Sequence, residues 1–303
     1  MSTPKQINPI QIDEALLRSW PLPMPPADGD KEQKGRILLI GGSPEMPGAI
    51  MLAATAALRA GAGKLTVATV ISVAPLVAAQ IPEAKVIALA EDHNGALAPG
   101  ALQAGMEKMG SRFDAVVIGP GFEPSPCLAD DILAILPSFT EAKIVLDACA
   151  MGVVNLPEWQ HRERSFPPVL LTPHAGEMAH LTGSSKDEVK ARPEKILQRT
   201  TAEWQAVVAL KGATTFVANP DDTCWLHEGG NSGLGVSGSG DTLAGIIGGL
   251  AARGAPLDQA GVWGVALHAR AGSALAKKYG PIGYLAREIS AEIPRLMHAL
   301  VPG

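Results

Sequence analysis

Five short segments and one isolated acid hold the residues whose types and spacing could do chemistry. The densest is Ser237–Gly238–Ser239–Gly240–Asp241, which runs straight into an apolar helical stretch. A helix N-terminus offers unsatisfied backbone N–H groups and a partial positive charge. Glycines remove side-chain bulk there, so Gly238 and Gly240 make the turn an anion cradle. Asp241 reads as an N-cap or as a general base. The second segment is Leu171–Thr172–Pro173–His174–Ala175–Gly176–Glu177, where His174 and Glu177 share one face of a starting helix. With His180 they write H-x-x-E-x-x-H, but the zinc motif needs histidines four apart, so zinc is set aside. Glu177 reads equally as favourable charge in a first turn or as a carboxylate positioning Mg2+ or water near a phosphate.

The third segment is Lys211–Gly212–Ala213–Thr214–Thr215 after an apolar run. Lys211 either meets a phosphate or is a surface lysine in a β-turn. The fourth, Gly119–Pro120–Gly121, is a tight strand-end turn that lets a ligand approach backbone. The fifth, Pro47–Gly48–Ala49–Ile50, starts a helix whose plain reading is core. Asp147 closes another apolar run as a candidate second carboxylate for Mg2+. A formal G-x-G-x-x-G (Gly233, Gly235, Gly238) lies late in the chain. A dinucleotide fingerprint should follow the first strand and precede an acidic residue, so this one is discounted.

Composition narrows the classes. The 303 residues carry 25 Lys+Arg against 30 Asp+Glu, a formal charge of −5, which argues against a nucleic-acid binder. A hydrophobic fraction of 47% excludes a disordered chain. Cys127, Cys149 and Cys224 are far apart, form neither zinc spacing nor disulfide framework, and are read as core packing in a reducing compartment. No apolar stretch reaches the length of a membrane span and no export signal is visible, so the expectation is a soluble cytoplasmic protein.

These residues need elements to hold them. Apolar runs at 36–42, 64–70, 85–90, 114–121, 143–148, 168–173 and 206–212 do not alternate, as in strands buried on both faces. Helical stretches are expected at 47–63, 98–109, 125–136, 174–182, 186–204, 238–253 and 256–279. Alternating β and α elements imply a mostly parallel sheet covered on both sides. The runs 214–218 and 223–227 flank Asn219–Pro220–Asp221–Asp222 and read as an edge hairpin. Residues 1–33, rich in proline after Trp20, read as an irregular arm, and 34–303 as one domain. The strand ends carry glycine or small polar groups, as if a large ligand lay across all of them.

IGGSPEMPGA, VIGPGF, VLDA, LLTPHAGE, ALKGATT and GVSGSGDTLAGIIGGL occur in an order that resembles the ribokinase-like superfamily. More narrowly, the chain resembles the ADP-dependent NAD(P)H-hydrate dehydratases over about 34–298. Related vitamin kinases carry Asn-x-x-Glu where this chain has His174-x-x-Glu177, the dehydratase form. A small-molecule kinase of thiazole or pyridoxine type is the alternative. Two departures are Ala175, where the family usually has proline, and Ile50 in place of a small residue.

The resemblance implies a three-layer α/β/α fold with a large, mostly parallel central sheet. It also implies repair of hydrated nicotinamide cofactors: (6S)-NADHX or NADPHX with ADP gives NAD(P)H, AMP and phosphate, a carbon–oxygen lyase reaction with Mg2+. Eukaryotic relatives prefer ATP. By the same resemblance Asp241 is the base that takes the proton of the substrate hydroxyl. Gly238, Gly240 and neighbouring amides stabilise charge on the transferred phosphoryl group. Lys211, Gly212, Ala213, Thr214, Thr215 and Gly240 hold the nucleotide. Ala49, Ile50, Gly121, His174 and Asp241 contact the hydrated dinucleotide, and Glu177 positions Mg2+ and phosphate. A homotetramer is implied. Many relatives carry an N-terminal epimerase domain that a 33-residue arm cannot hold, so a separate epimerase is expected as functional partner. With few aromatics in the chain, aliphatic side chains and backbone are expected to hold the adenines.

Overall fold

The computed structural model describes residues 8–25, 31–161 and 166–300. The expectations placed on 1–7, 26–30 and 301–303 lie outside the described residues.

The apolar runs form strands of one ten-stranded sheet. They are β1 (Ile10–Gln11), β2 (Arg36–Ile40), β3 (Lys64–Val70), β4 (Ala84–Leu89), β5 (Ala115–Ile118), β6 (Lys143–Leu146), β7 (Val169–Leu171), β8 (Val207–Leu210), β9 (Thr214–Ala218) and β10 (Cys224–Glu228). The order is β1-β10-β9-β8-β7-β6-β5-β2-β3-β4. Only β9 runs against the others, through the β8–β9 and β9–β10 pairings. The second of these is the expected hairpin. Every residue from Ile37 to Ile40 and from Ala115 to Ile118 has no exposed surface, which explains why these strands read as unbroken apolar runs.

Among the described residues twelve α-helices lie between the strands and, from α10 on, after the last of them: α1 (Glu14–Ser19), α2 (Pro47–Arg59), α3 (Ala74–Gln80), α4 (Ala101–Met109), α5 (Leu128–Ile135), α6 (Pro157–Gln160), α7 (Ala175–Thr182), α8 (Lys186–Ala191), α9 (Pro193–Trp204), α10 (Ser239–Ala252), α11 (Leu257–Tyr279) and α12 (Ala286–Leu300). One layer contains α2, α10, α11 and α12, with α10 against β2, β5 and β6; a second set runs through α4 and α5 and from α7 to α9. Helix α10 sits close on α2. A Cβ on Gly245 would lie 2.1 Å from the carbonyl oxygen of Ala53, and one on Gly249 would lie 2.4 Å from that of Ala57. The glycines of the GIIGG run therefore fix where the N-terminus of α10 lands.

Three expectations change. The N-terminal arm is not irregular over its described part: β1 pairs in parallel with β10, and α1 starts on an Asp13 cap. The arm is tied down by Trp20 stacked on Trp225 at 5.7 Å. The carbonyl of Trp20 also accepts hydrogen bonds from Gln259 Nε2 and Trp263 Nε1. The stretch 186–204 is two helices, because Pro193 has no N–H to continue α8. Helices α3 and α12 form where no helix was expected.

Candidate active site

The chain reverses direction of winding between β2 and β5. Loops beyond the carboxyl ends of parallel strands diverge at such a point and leave a crevice. Here they are Gly41–Gly42 and Gly119–Pro120–Gly121, joined by the Gly42 N–H donating to the Pro120 carbonyl at 2.8 Å. Gly119 adopts φ +124°, and a Cβ there would lie 1.9 Å from the carbonyl oxygen of Asp147. Only glycine lets the end of β5 run this close to the end of β6.

Next along the same edge come Asp147, His174–Glu177 and Lys211, one from each of the neighbouring strand ends. Pairing of β7 with β8 continues past the strands: the Lys211 N–H donates to Pro173 C=O at 2.7 Å and His174 bridges Lys211. This brings the Lys211 ammonium to 3.1 Å from Asp147 Oδ1 and 3.8 Å from Glu177 Oε2. Lys211 is therefore not a surface lysine in a turn. Burial works to lower its pKa, but the charges of Asp147 and Glu177 outweigh that and hold it above the ordinary lysine value. Thr172 donates its hydroxyl to the same Asp147 oxygen at 2.5 Å.

His174 caps α7. Its Nδ1 accepts from the N–H groups of Gly176 and Glu177, while Glu177 Oε2 accepts from the His174 N–H at 2.7 Å, a reciprocal capping box. Both accepted bonds fall on Nδ1, so the neutral ring carries its proton on Nε2. Both readings of Glu177 thus share one residue: its carboxylate caps the helix and also faces Lys211.

Helix α10 delivers the fourth element. Gly238 is its N-cap at φ +86°, with no side-chain cap, and Asp241 is its third residue. Asp241 is therefore inside the first turn and not the N-cap. A Cβ on Gly240 would lie 3.4 Å from Lys211 Nζ, so the first turn of α10 and the ammonium are neighbours. Burial first, then the charge of Asp147, push the Asp241 pKa up to about 6, against the pull of Lys211.

A cavity of about 680 Å³ opens beside this cluster. Its wall includes Lys211, Gly212, Ala213, Thr215, Ser239 and Gly240; its apolar part is Leu234, Val236, Leu243, Val265 and Ala269, with no Phe, Tyr or Trp. Thr214 points its strand position outside this wall. Ile50 is a correction: it is fully buried in the core. Its side chain packs beneath Gly41 and Gly42 and supports the crevice without lining it. Ala49 and Gly121 lie next to each other, their Cβ positions 2.9 Å apart once Gly121 is given one.

Sequence reasoning named Ser239 only as part of its segment, with no role, and missed His268, His227 and Asn231 on the cavity wall. Asn231 Oδ1 accepts from Tyr284 OH at 2.6 Å and from the Gly233 N–H at 3.0 Å, which closes the loop ahead of α10. Its N-x-G spacing is an Asx-turn signal that could have been read.

The donor set tests the fit of Mg2+. No group of three or more His, Cys, Asp or Glu able to hold a metal occurs among the described residues. Asp147 is 3% exposed and its Oδ1 already serves Lys211 and Thr172. It is better described as the anchor of Lys211 than as a metal ligand. Glu177 is partly exposed, but Oε2 already takes the His174 N–H and faces Lys211, and Oε1 lies 3.4 Å from His174 Nε2, so a hard cation here would share this one carboxylate and take its other ligands from phosphate and water. Of the cysteines only Cys224 packs in the core, where burial pushes its thiol up to about 12; Cys127 and Cys149 are half-buried, and Cys149 lies near Glu177 and Asp147 and donates weakly to Phe122 C=O.

The family model described as NAD(P)H-hydrate dehydratase matches residues 37–295. The chain is 47% identical to the ADP-dependent (S)-NAD(P)H-hydrate dehydratase of Xanthomonas campestris pv. campestris, over 96% of this chain and 97% of that protein. This chain belongs to the NAD(P)H-hydrate dehydratase family. The corresponding Bacillus subtilis enzyme is 32% identical, over 91% of this chain and 93% of its own length. A Bacillus subtilis ADP/ATP-dependent NAD(P)H-hydrate dehydratase crystallised with ATP and Mg2+ superposes with a TM-score of 0.83 at 30% identity, covering 97% of this chain and all of that one. The ribokinase-like fold and the dehydratase relationship are thereby established, and the kinase alternative draws no support from these relatives.

Proposed function

We infer that the chain dehydrates (6S)-NADHX or NADPHX at the expense of ADP, yielding NAD(P)H, AMP and phosphate. The carrying observation is the convergence of Lys211 and the open first turn of α10 on one cavity, with Asp241 poised at a pKa of about 6. The substrate's C6 hydroxyl attacks the terminal phosphorus of ADP, the bond to AMP breaks, and Asp241 accepts the hydroxyl proton. Lys211 and the Gly240 amide meet the charge on the transferred group. The ring nitrogen's lone pair then expels phosphate from C6, and loss of a C5 proton restores the dihydronicotinamide. His174, Gly121 and Ala49 face the dinucleotide; Gly212, Ala213 and Thr215 hold the nucleotide. Glu177 would be the protein ligand of Mg2+, which would lower the charge on the phosphates.

The site-to-role assignments, the Mg2+ requirement, a homotetramer, cytoplasmic location and a separate epimerase are parts of this proposal. No helix among the described residues is long and apolar enough to cross a membrane. The test is to supply NADHX with ADP, then with ATP, and follow the return of dihydronicotinamide absorbance. Phosphorylation of a thiazole or pyridoxine alcohol with no such return would overturn the dehydratase reading.

A further inference from the structure

Helix α11 presents Gly264, His268 and Gly272 four residues apart, on one face. Both glycines are contact points. A Cβ on Gly264 would lie 2.5 Å from Ile247 of α10, and one on Gly272 would lie 2.7 Å from Leu234 in the loop before it. The ring between them is thus delivered to the first turn of α10. There His268 Nε2 lies 3.0 Å from Ser239 Oγ and 3.1 Å from the Ser239 carbonyl oxygen.

A carbonyl oxygen only accepts, so a bare Nε2 lone pair facing it would be repelled. The Nε2–H tautomer satisfies both contacts, donating to the carbonyl and to the hydroxyl oxygen. The ring stays neutral in ordinary buffers, since burial lowers its pKa to about 4. With its oxygen engaged by the imidazole, the Ser239 hydroxyl hydrogen must point away from the ring. Ser239 is 6% exposed, and the surface it keeps is on the wall shared with Lys211 and Gly240.

We propose that His268 is a positioning residue that holds the Ser239 hydroxyl as a donor to the phosphate of the bound nucleotide. The assignment rests on the nucleotide reading of this cavity and adds a side-chain donor to a cradle otherwise made of backbone and Lys211. A hydrogen bond to a charged oxygen is worth about ten- to a hundredfold in binding.

Calorimetry with ADP, pyrophosphate and adenosine tests it on wild type, Ser239→Ala, His268→Leu, His268→Gln and the Ser239→Ala/His268→Leu double variant. Each single loss should weaken ADP and pyrophosphate by at least about tenfold and leave adenosine within about threefold. The double variant should bind no worse than the weaker single, because both remove one bond. Glutamine, whose side-chain amide can replace the Nε2–H donor, should restore most of the affinity. If His268→Leu does not fold, Ser239→Ala and His268→Gln still decide. Unchanged ADP binding by Ser239→Ala overturns the proposal, as does additivity in the double variant or a loss confined to adenosine. Wild type that binds neither ADP nor pyrophosphate overturns instead the nucleotide reading on which this rests.

Discussion

Replacing Asp241 with asparagine should abolish turnover and at the same time stabilise the protein, but only above the pH at which the acid ionises. The folded-state pKa of about 6 stands above the ordinary aspartate value of 3.8. Between those values the native state holds a proton that the unfolded chain has released. Stability therefore falls as pH rises through the window from about 4 to 6, and the full cost is present at neutral pH. A shift of about two units corresponds to roughly 3 kcal/mol. Asparagine carries no such cost. At about 2 °C per kcal/mol for a chain of this size, Asp241→Asn should melt about 6 °C higher than wild type at pH 8. The gap should close at pH 4.

The assay is a pair of thermal melts at one-unit intervals from pH 4 to 8, alongside kcat/KM for wild type. The kinetic acid limb should bend near pH 6, since the base must be deprotonated to accept the hydroxyl proton. Equal melting temperatures at pH 8 would refute the reasoning. So would a gain that is largest at pH 4, because the sign would then be that of a stabilising carboxylate.

Three further perturbations probe the neighbours of Asp241. Lys211→Met removes the cation from between Asp147 and Glu177 and leaves a buried carboxylate unpaired, so denaturant titration should show a loss of about 3 kcal/mol or more at pH 8. Its ADP affinity by calorimetry should fall at least about tenfold. Glu177→Gln retains an acceptor for the His174 N–H and so keeps the α7 cap. Mg2+ titration of its activity should show half-saturation raised about tenfold. Gly245→Ala sets a methyl 2.1 Å from the Ala53 carbonyl oxygen and should cost about 1–3 kcal/mol by chemical denaturation, with reduced ADP binding as α10 shifts.

The strands were legible because a strand buried on both faces has one pattern, an apolar run, and this chain follows it in β2, β3 and β5 to β8, while the edge strand β4 leaves Lys85 and Ala88 exposed. The hairpin was legible because Asn219 to Asp222 is turn chemistry. What was not legible depended on distant pairing. Strand β1 is two residues long and exists because Ile10 and Gln11 meet Trp225 and Leu226. Helix α12 carries a readable spacing, Ile289, Ile293 and Leu300 buried, but Pro294 inside it disguises the pattern. At the site, motif spacing located Asp241, Glu177 and Lys211 one by one. It could not show that Lys211 is held by Asp147, 64 residues away, because that contact is made by the β6-β7-β8 order. Short-range statistics favoured a turn lysine for Lys211, and sheet register overruled them. Ser239 stood in the anion-cradle segment without a role of its own and His268 gave no signal; only the packing of α11 on α10 joins them.

Charge arithmetic at the site leads to one more expectation. Among the described residues Asp147 is the one ionisable side chain in the fully buried polar set, and it is spent on Lys211. A buried pair of this kind adds little net stability, because desolvation consumes most of the attraction. What it provides is an ammonium already in place, with no reorganisation needed when a phosphate arrives. Yet three carboxylates, Asp147, Glu177 and Asp241, act on that one ammonium, so an anionic nucleotide seated here would meet an excess of negative charge. Below pH 6 Asp241 takes up a proton and one of those charges disappears. Binding of ADP without Mg2+ should therefore tighten as pH drops from 8 to 5, as far as nucleotide protonation allows. With saturating Mg2+ the slope should flatten, because the divalent cation supplies the missing positive charge. Calorimetry at both pH values, with and without Mg2+, measures this directly. The same Mg2+-free pH slope in Asp241→Asn, where nucleotide protonation acts alike, would mean that Asp241 does not face the phosphates.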